Sequence, residues 1–205
     1  AKYQDVKQEM RKWLCLSLLK GVFGGQSDAV LTNIRKVLVA NSQLPIFPLK
    51  QIKDEFKTNP SKNLSFDDDF IEGLLTIQKD DANCYPVLSL LYYHLNFEIQ
   101  SFHKDHLHPE DYFRKCKQSD FATDDEYKFY KDPLNWNSIV NLQLLNSSLN
   151  LSKLATPLVD WVNDKHIDKD NQLIPNNISL EIRDFKSFID ERRKLLKQKF
   201  KEITD

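Results

Sequence analysis

The chain has 205 residues, 40% hydrophobic and 29% charged, with a formal net charge of −1. That composition is globular and excludes a disordered chain, and the apolar runs Trp13 to Leu19 and Val87 to Tyr93 fall short of the roughly 20 residues of a membrane-spanning helix. The length suffices for one sizeable domain or two small ones, while the near-neutral balance argues against a free-standing nucleic-acid binder, which carries a basic excess.

Val6, Met10, Trp13, Leu14 and Leu18 repeat at helical spacing, with Ser17 the one polar interruption of that face. The pattern stops at Gly24-Gly25, read as a C-terminal cap. Ser27 reads as the next N-cap, ahead of Val30, Leu31, Ile34, Val37 and Leu38 on one face. Pro45 and Pro48 mark a break before a short helix with Leu49, Ile52 and Phe56. Ser65 and Asp68 form a capping-box pattern ahead of Phe70, Ile71, Leu74 and Leu75, and Pro86 opens the apolar run to Leu95.

From about Ile99 the texture changes. Four of the five histidines lie between His94 and His108, and a polar, aromatic segment read as a long loop runs from Arg114 to Trp136. Ile139 to Leu145 has the β-branched and apolar character of a strand. Thr156-Pro157 starts a helix carrying Leu158, Trp161 and Val162; a turn-rich loop, Asp168 to Asn177, precedes an amphipathic terminal helix with Ile182, Phe185, Ile189, Leu196 and Phe200. The fold expected is α+β and predominantly helical. It divides into a helical scaffold region without catalytic signals (1–98), a small two-stranded unit (99–165), and a loop with the terminal helix (166–205). The opening residues show no signal peptide, and three scattered cysteines, Cys15, Cys84 and Cys116, point to a reducing cytoplasm. A start at Ala1 with Met10 as the only methionine suggests a domain taken from a longer protein.

The residues with chemistry are Asp105-His106-Leu107-His108-Pro109, then Asn141, Asn150 and Lys153. Phosphodiester hydrolysis needs a base near neutrality, which histidine supplies, and a cation to offset charge on the phosphate. Mg²⁺ prefers oxygen ligands and needs only one or two protein groups. Asp105 and His106 are adjacent, so they could flank one phosphate only where a strand ends or bends, as Pro109 favours.

The pattern D-H-x-x-P at Asp105 to Pro109, followed by N-x8-N-x2-K at Asn141 to Lys153, resembles the ββα-metal fold of HNH nucleases, including the HNH domain of RNA-guided CRISPR effectors. The resemblance implies that Asp105 binds Mg²⁺, with Mn²⁺ able to substitute, and that Asn150 is the second protein ligand. It makes His106 the general base, Asn141 the tie of the hairpin through backbone hydrogen bonds, and Lys153 a phosphate contact or brace. Residues 11–38 (RKWLCLSLLKGVFGGQSDAVLTNIRKVL), 86–96 (PVLSLLYYHLN) and FHKDHLHP together resemble the C-terminal half of GmrSD-type modification-dependent restriction enzymes. In those proteins a nucleotide-using, ParB-like N-terminal domain precedes a helical region and an HNH domain. The function implied is metal-dependent cutting of DNA, modified or plain, in defence against phage, with recognition lying in a domain absent from this chain.

Blander readings stand beside these. A catalytically idle HNH-like module that binds nucleic acid or protein fits the near-zero charge. Asn150 could be a helix cap beside Ser148. His103, His108 and Cys116 match no common zinc spacing; the two histidines are candidates to steer substrate or orient His106. The basic run Arg192-Arg193-Lys194, Lys197, Lys199 and Lys201 reads as a solvated helix face, with a DNA-backbone contact the alternative. Asp67 to Asp69 suits a helix start, and Asp124-Asp125-Glu126 reads as loop.

Overall fold

In the computed structural model, which describes residues 2–25 and 27–204, the N-terminal region folds as α1 (Lys2–Leu19), α2 (Ser27–Ala40), α3 (Leu49–Phe56), α4 (Asp68–Leu75) and α5 (Cys84–Leu91). The first helix is closed at Gly21, not at the expected Gly24-Gly25. Gly21 takes φ +59°, open to a residue without a β-carbon. Val22 N–H then reaches the Ser17 carbonyl at 3.0 Å and Gly21 N–H the Leu18 carbonyl at 3.1 Å, satisfying acceptors that the last turn leaves open.

The buried side of α1 also departs from the expected stripe. Cys15, Leu16 and Ser17 are buried, whereas Met10, Leu14 and Leu18 are 44%, 46% and 50% exposed. The run WLCLSLL is apolar on nearly every side, so periodicity does not choose its face. Packing against α5 chooses it, with small Ser17 turned inward. On α2, Val30, Ile34 and Val37 are buried as expected, but Leu31 and Leu38 face outward. α4 is capped by Asp67 rather than Ser65: its Oδ1 accepts from Phe70 N–H at 2.8 Å. Asp68 and Asp69 follow in the first turn, where negative charge complements the helix dipole.

The two strands are β1 (Phe102–His106) and β2 (Leu142–Asn146), antiparallel, with Phe102 opposite Asn146 and His106 opposite Leu142. The segment between them is not a long loop. It forms α6 (Glu110–Lys115), a 3-10 turn at Gln118–Asp120, α7 (Asp124–Lys131) and α8 (Pro133–Trp136). Thr123 Oγ1 accepts from Glu126 N–H at 3.1 Å, so the acidic triplet stands at a helix start. Aromatic side chains weld this stretch to the core: Phe113 stacks on Trp136 at 5.8 Å between ring centroids.

The expected strand from Ile139 begins later, at Leu142, because Ile139–Asn141 forms a 3-10 turn held from another direction. Ile139 N–H donates to Ile77 at 3.0 Å and Lys79 N–H to Asn137 at 2.9 Å, around an antiparallel bridge between Gln78 and Ser138. β2 runs directly into α9 (Ser147–Lys153), capped by Asn146, whose side chain accepts from Leu149 N–H at 2.9 Å. Then come α10 (Leu158–Asp164), preceded by Pro157, and the long α11 (Phe185–Thr204).

One continuous apolar core runs from Leu16 of α1 through Leu88 of α5 and Leu144 of β2 to Phe188 and Leu196 of α11. Arg192 lies inside it, 0% exposed, against the expectation of a solvated basic face. Its guanidinium donates to the carbonyls of Leu173 at 2.9 Å, Val140 at 2.8 Å and Leu142 at 2.8 Å, and to Tyr92 Oη at 3.2 Å. The rest of the basic run is neutralised locally: Arg193 pairs with Glu72 at 2.8 Å, Lys197 also reaches Glu72, and Lys201 pairs with Asp68 at 2.7 Å. The fold is α+β and mostly helical, with one two-stranded antiparallel sheet among the described residues. No helix among the described residues is long and apolar enough to cross a membrane.

Candidate active site

β1 ends at Asp105-His106 because the chain beyond it is claimed by the turn before β2. Leu107 N–H donates to the Asn141 carbonyl at 2.8 Å. Asn141 Oδ1 accepts from His108 N–H at 3.0 Å, while Nδ2 donates to the His108 and Trp136 carbonyls at 3.0 and 2.8 Å. Asn141 therefore sits in the 3-10 turn, not inside an apolar strand as expected, and cross-links the two sides of the hairpin base. Neighbours on a regular strand point to opposite faces; at this strand end, Asp105 and His106 both border one open cavity of about 320 Å³.

His106 is buried and held on both ring nitrogens. Nε2 lies 2.9 Å from Asn137 Oδ1, a side-chain carbonyl that accepts its proton. Nδ1, left with the lone pair, lies 3.4 Å from Lys79 Nζ and 3.8 Å from a Glu110 carboxylate oxygen. Burial, reinforced by the Lys79 charge, pushes His106 down to about 4, so the ring is neutral at physiological pH and less basic than a free imidazole.

Behind it, Lys153 is 1% exposed, and its ammonium lies 3.1 Å from Asp105 Oδ2 and donates to the His106 carbonyl at 2.6 Å. Burial lowers the Lys153 pKa and the Asp105 charge opposes that shift. Gln143 Nε2 donates to the same Asp105 oxygen at 3.0 Å, so the carboxylate is fixed from two sides. Lys153 thus braces Asp105 and the end of β1.

The other expected residues scatter. Asn150 is on α9 but does not border the cavity that Asp105 and His106 share, and its side chain makes no hydrogen bond among the described residues. Asn146, not Asn150, caps that helix. His103 points away, 3.0 Å from Ser147 Oγ. His108 does not orient His106: it is buried edge-on to Phe185 and Phe188, with ring centroids at 5.3 and 4.7 Å, and burial pushes it down to about 3.

The sequence reading missed Lys79, Asn137 and Gln143. Gln143 lies directly opposite Asp105 in the ladder, a placement that register alone would have revealed. Lys79 comes from the region read as scaffold, and no motif surrounds it in Ile77-Gln78-Lys79-Asp80-Asp81.

Asp105 and Glu110 are carboxylates on one cavity wall, yet among the described residues no three His, Cys, Asp or Glu side chains converge as a metal cluster. That donor set suits a hard divalent cation that keeps several of its waters and does not suit a closed zinc site. Leu154, at the cavity rim, takes φ +47°, a strained setting for a branched residue and one that recurs where function fixes the backbone. Compared with protein-family models and with curated proteins, the chain finds no match.

Proposed function

We propose that this chain is a metal-dependent endonuclease unit of the HNH type that hydrolyses DNA phosphodiester bonds. The observation that carries the reading is the strand end: Asp105 and His106 border one cavity, with His106 neutral and oriented by Asn137. An antiparallel pair followed at once by a short helix bearing Asn150 and Lys153 supports it further. In this reading Asp105 would hold a Mg²⁺-class ion that supplies counter-charge for the phosphate; Asn150, the second ligand that the motif implies, lies outside the cavity that Asp105 borders.

The chain's own residues account for the proton. His106 Nδ1 takes a proton from water as the water oxygen bonds to phosphorus and the bond from phosphorus to the 3′ oxygen breaks; the departing 3′ oxygen takes a proton from solvent water, leaving 5′-phosphate and 3′-hydroxyl ends. Asn137 keeps the opposite nitrogen protonated, and so holds the lone pair on the cavity side. Lys153 and Gln143 fix the carboxylate of Asp105 against rotation. The wider setting that the motif implies is restriction of foreign DNA, with recognition supplied by a nucleotide-using domain outside this chain.

The test is plasmid cleavage with Mg²⁺, Mn²⁺ or EDTA, beside a His106→Ala variant. Metal-dependent cutting that the variant loses is expected; cutting that persists in the variant overturns the assignment of the base. A second reading, a catalytically idle binding module, draws on the occupation of Asp105 Oδ2 by Lys153 and Gln143. It requires nucleic-acid or protein binding that is indifferent to divalent metal.

A further inference from the structure

Two cations border the strand-end cavity, Lys79 and Arg114, and Arg114 is paired with Glu110. Lys79 borders the same cavity, and among the described residues no carboxylate lies within ion-pair distance of its ammonium. Its side-chain partner is the neutral ring of His106, 3.4 Å away. The residue is nonetheless firmly placed. Its N–H donates to Asn137 at 2.9 Å, its carbonyl accepts from Lys104 Nζ, and its neighbour Gln78 bridges to Ser138. Asp105, Glu110 and Asp111 line the same cavity, but a partly buried ammonium held beside a neutral ring, with no carboxylate at ion-pair distance among the described residues, is short of an acceptor.

We infer that Lys79 is the residue that holds a phosphate oxygen of the bound nucleic acid in this cavity. The inference rests on the nuclease reading for the identity of the ligand, while the geometry itself specifies a compact oxyanion. An ammonium is a point charge with three donors, suited to the non-bridging oxygens of a phosphodiester. Once it turns to that oxygen, the Nδ1 lone pair of His106 is released to the attacking water. The helical region therefore contributes a substrate-binding side chain to the site and is more than a support for the hairpin.

Two probes test this on the whole chain: inorganic phosphate, followed by NMR, and a DNA duplex with Ca²⁺ in place of Mg²⁺, followed by fluorescence anisotropy. Lys79→Gln should weaken both by about tenfold, the worth of one charge-assisted contact, and lower the salt slope of duplex binding by about one. Lys79→Arg should restore most of the affinity, and Lys36→Gln, at an exposed position on α2, should change neither. Thermal melts of the variants exclude misfolding as the cause. Phosphate that shifts no resonance of a cavity residue, or Lys79→Gln binding both probes like wild type, overturns the inference. If wild type cuts no DNA with Mg²⁺ or Mn²⁺ yet keeps phosphate binding that depends on Lys79, the nuclease reading fails and the anion site stands. If Lys79→Gln cuts DNA at the wild-type rate, the anion site fails and the nuclease reading stands.

Discussion

Two parts of the molecule place their side chains against the usual rule, in opposite senses. Along α1 and α2, Met10, Leu14, Leu18, Leu31 and Val39 stand in solvent, while around the hairpin His106, His108, Asn141, Gln143, Lys153 and Arg192 are buried. The two departures differ in cost. Exposed apolar side chains are common on folded proteins and cost little one by one. A buried polar group costs several kcal/mol unless a partner satisfies it. The outer faces of the first helices are therefore permissive, whereas around the hairpin Asn141, Lys153 and Arg192 are each held by two or more partners.

The sharpest way to break this contrast is Arg192→Met. Three backbone carbonyls and the Tyr92 hydroxyl lose their donor, and urea denaturation should record a loss of about 4 kcal/mol. A change below about 1 kcal/mol would mean that the buried guanidinium is not what organises the turn before β2.

His108 gives a middle-sized effect that depends on pH. Burial holds its native pKa near 3, below the value of about 6.5 in an unfolded chain. The unfolded state therefore binds a proton that the native state refuses, and stability falls as pH drops from about 6.5 toward 3. His108→Phe should keep its place among Phe185 and Phe188 and remove this term. At pH 5 the variant should gain about 2 kcal/mol relative to its difference from wild type at pH 7.5. Parallel stability curves for the two proteins from pH 7.5 to 5 would show that His108 is not excluded from protonation.

The smallest effect belongs to the permissive side. Leu14→Glu, placed on the outer face of α1, should change the melting free energy by no more than about 0.5 kcal/mol. A loss comparable to that of a core substitution would show that this face is covered in solution.

Much of the fold was legible because it depends on local rules. Asp67 to Asp69 marks a helix start, Pro48 a break before α3, and the apolar spacing of Phe185, Ile189, Leu196 and Phe200 a long helix with one buried face. What was not legible depends on partners far away in sequence. The face of α1 follows from α5, and the delayed start of β2 from Ile77 and Lys79. The arginine in a basic run became a core residue because carbonyls of Ile139–Asn141 and β2 needed donors. The candidate site divides in the same way. Asp105, His106 and Asn141 are visible as a motif, while Asn137 carries no local signal and Lys79 meets His106 only once the helical region docks.

The position of Arg192 along the chain has a consequence for biogenesis. Its donors serve carbonyls of Val140 and Leu142, about fifty residues earlier, so the turn that shapes the base of the hairpin stays incomplete until α11 has been synthesised and packed. A chain made from its N-terminus at about 5–20 residues per second would expose β1, β2 and α9 for several seconds without this closing element. Assembly of the hairpin is thus timed by the last helix: a ribosome-bound nascent chain stalled before residue 192 should carry the helical region but lack a finished candidate site.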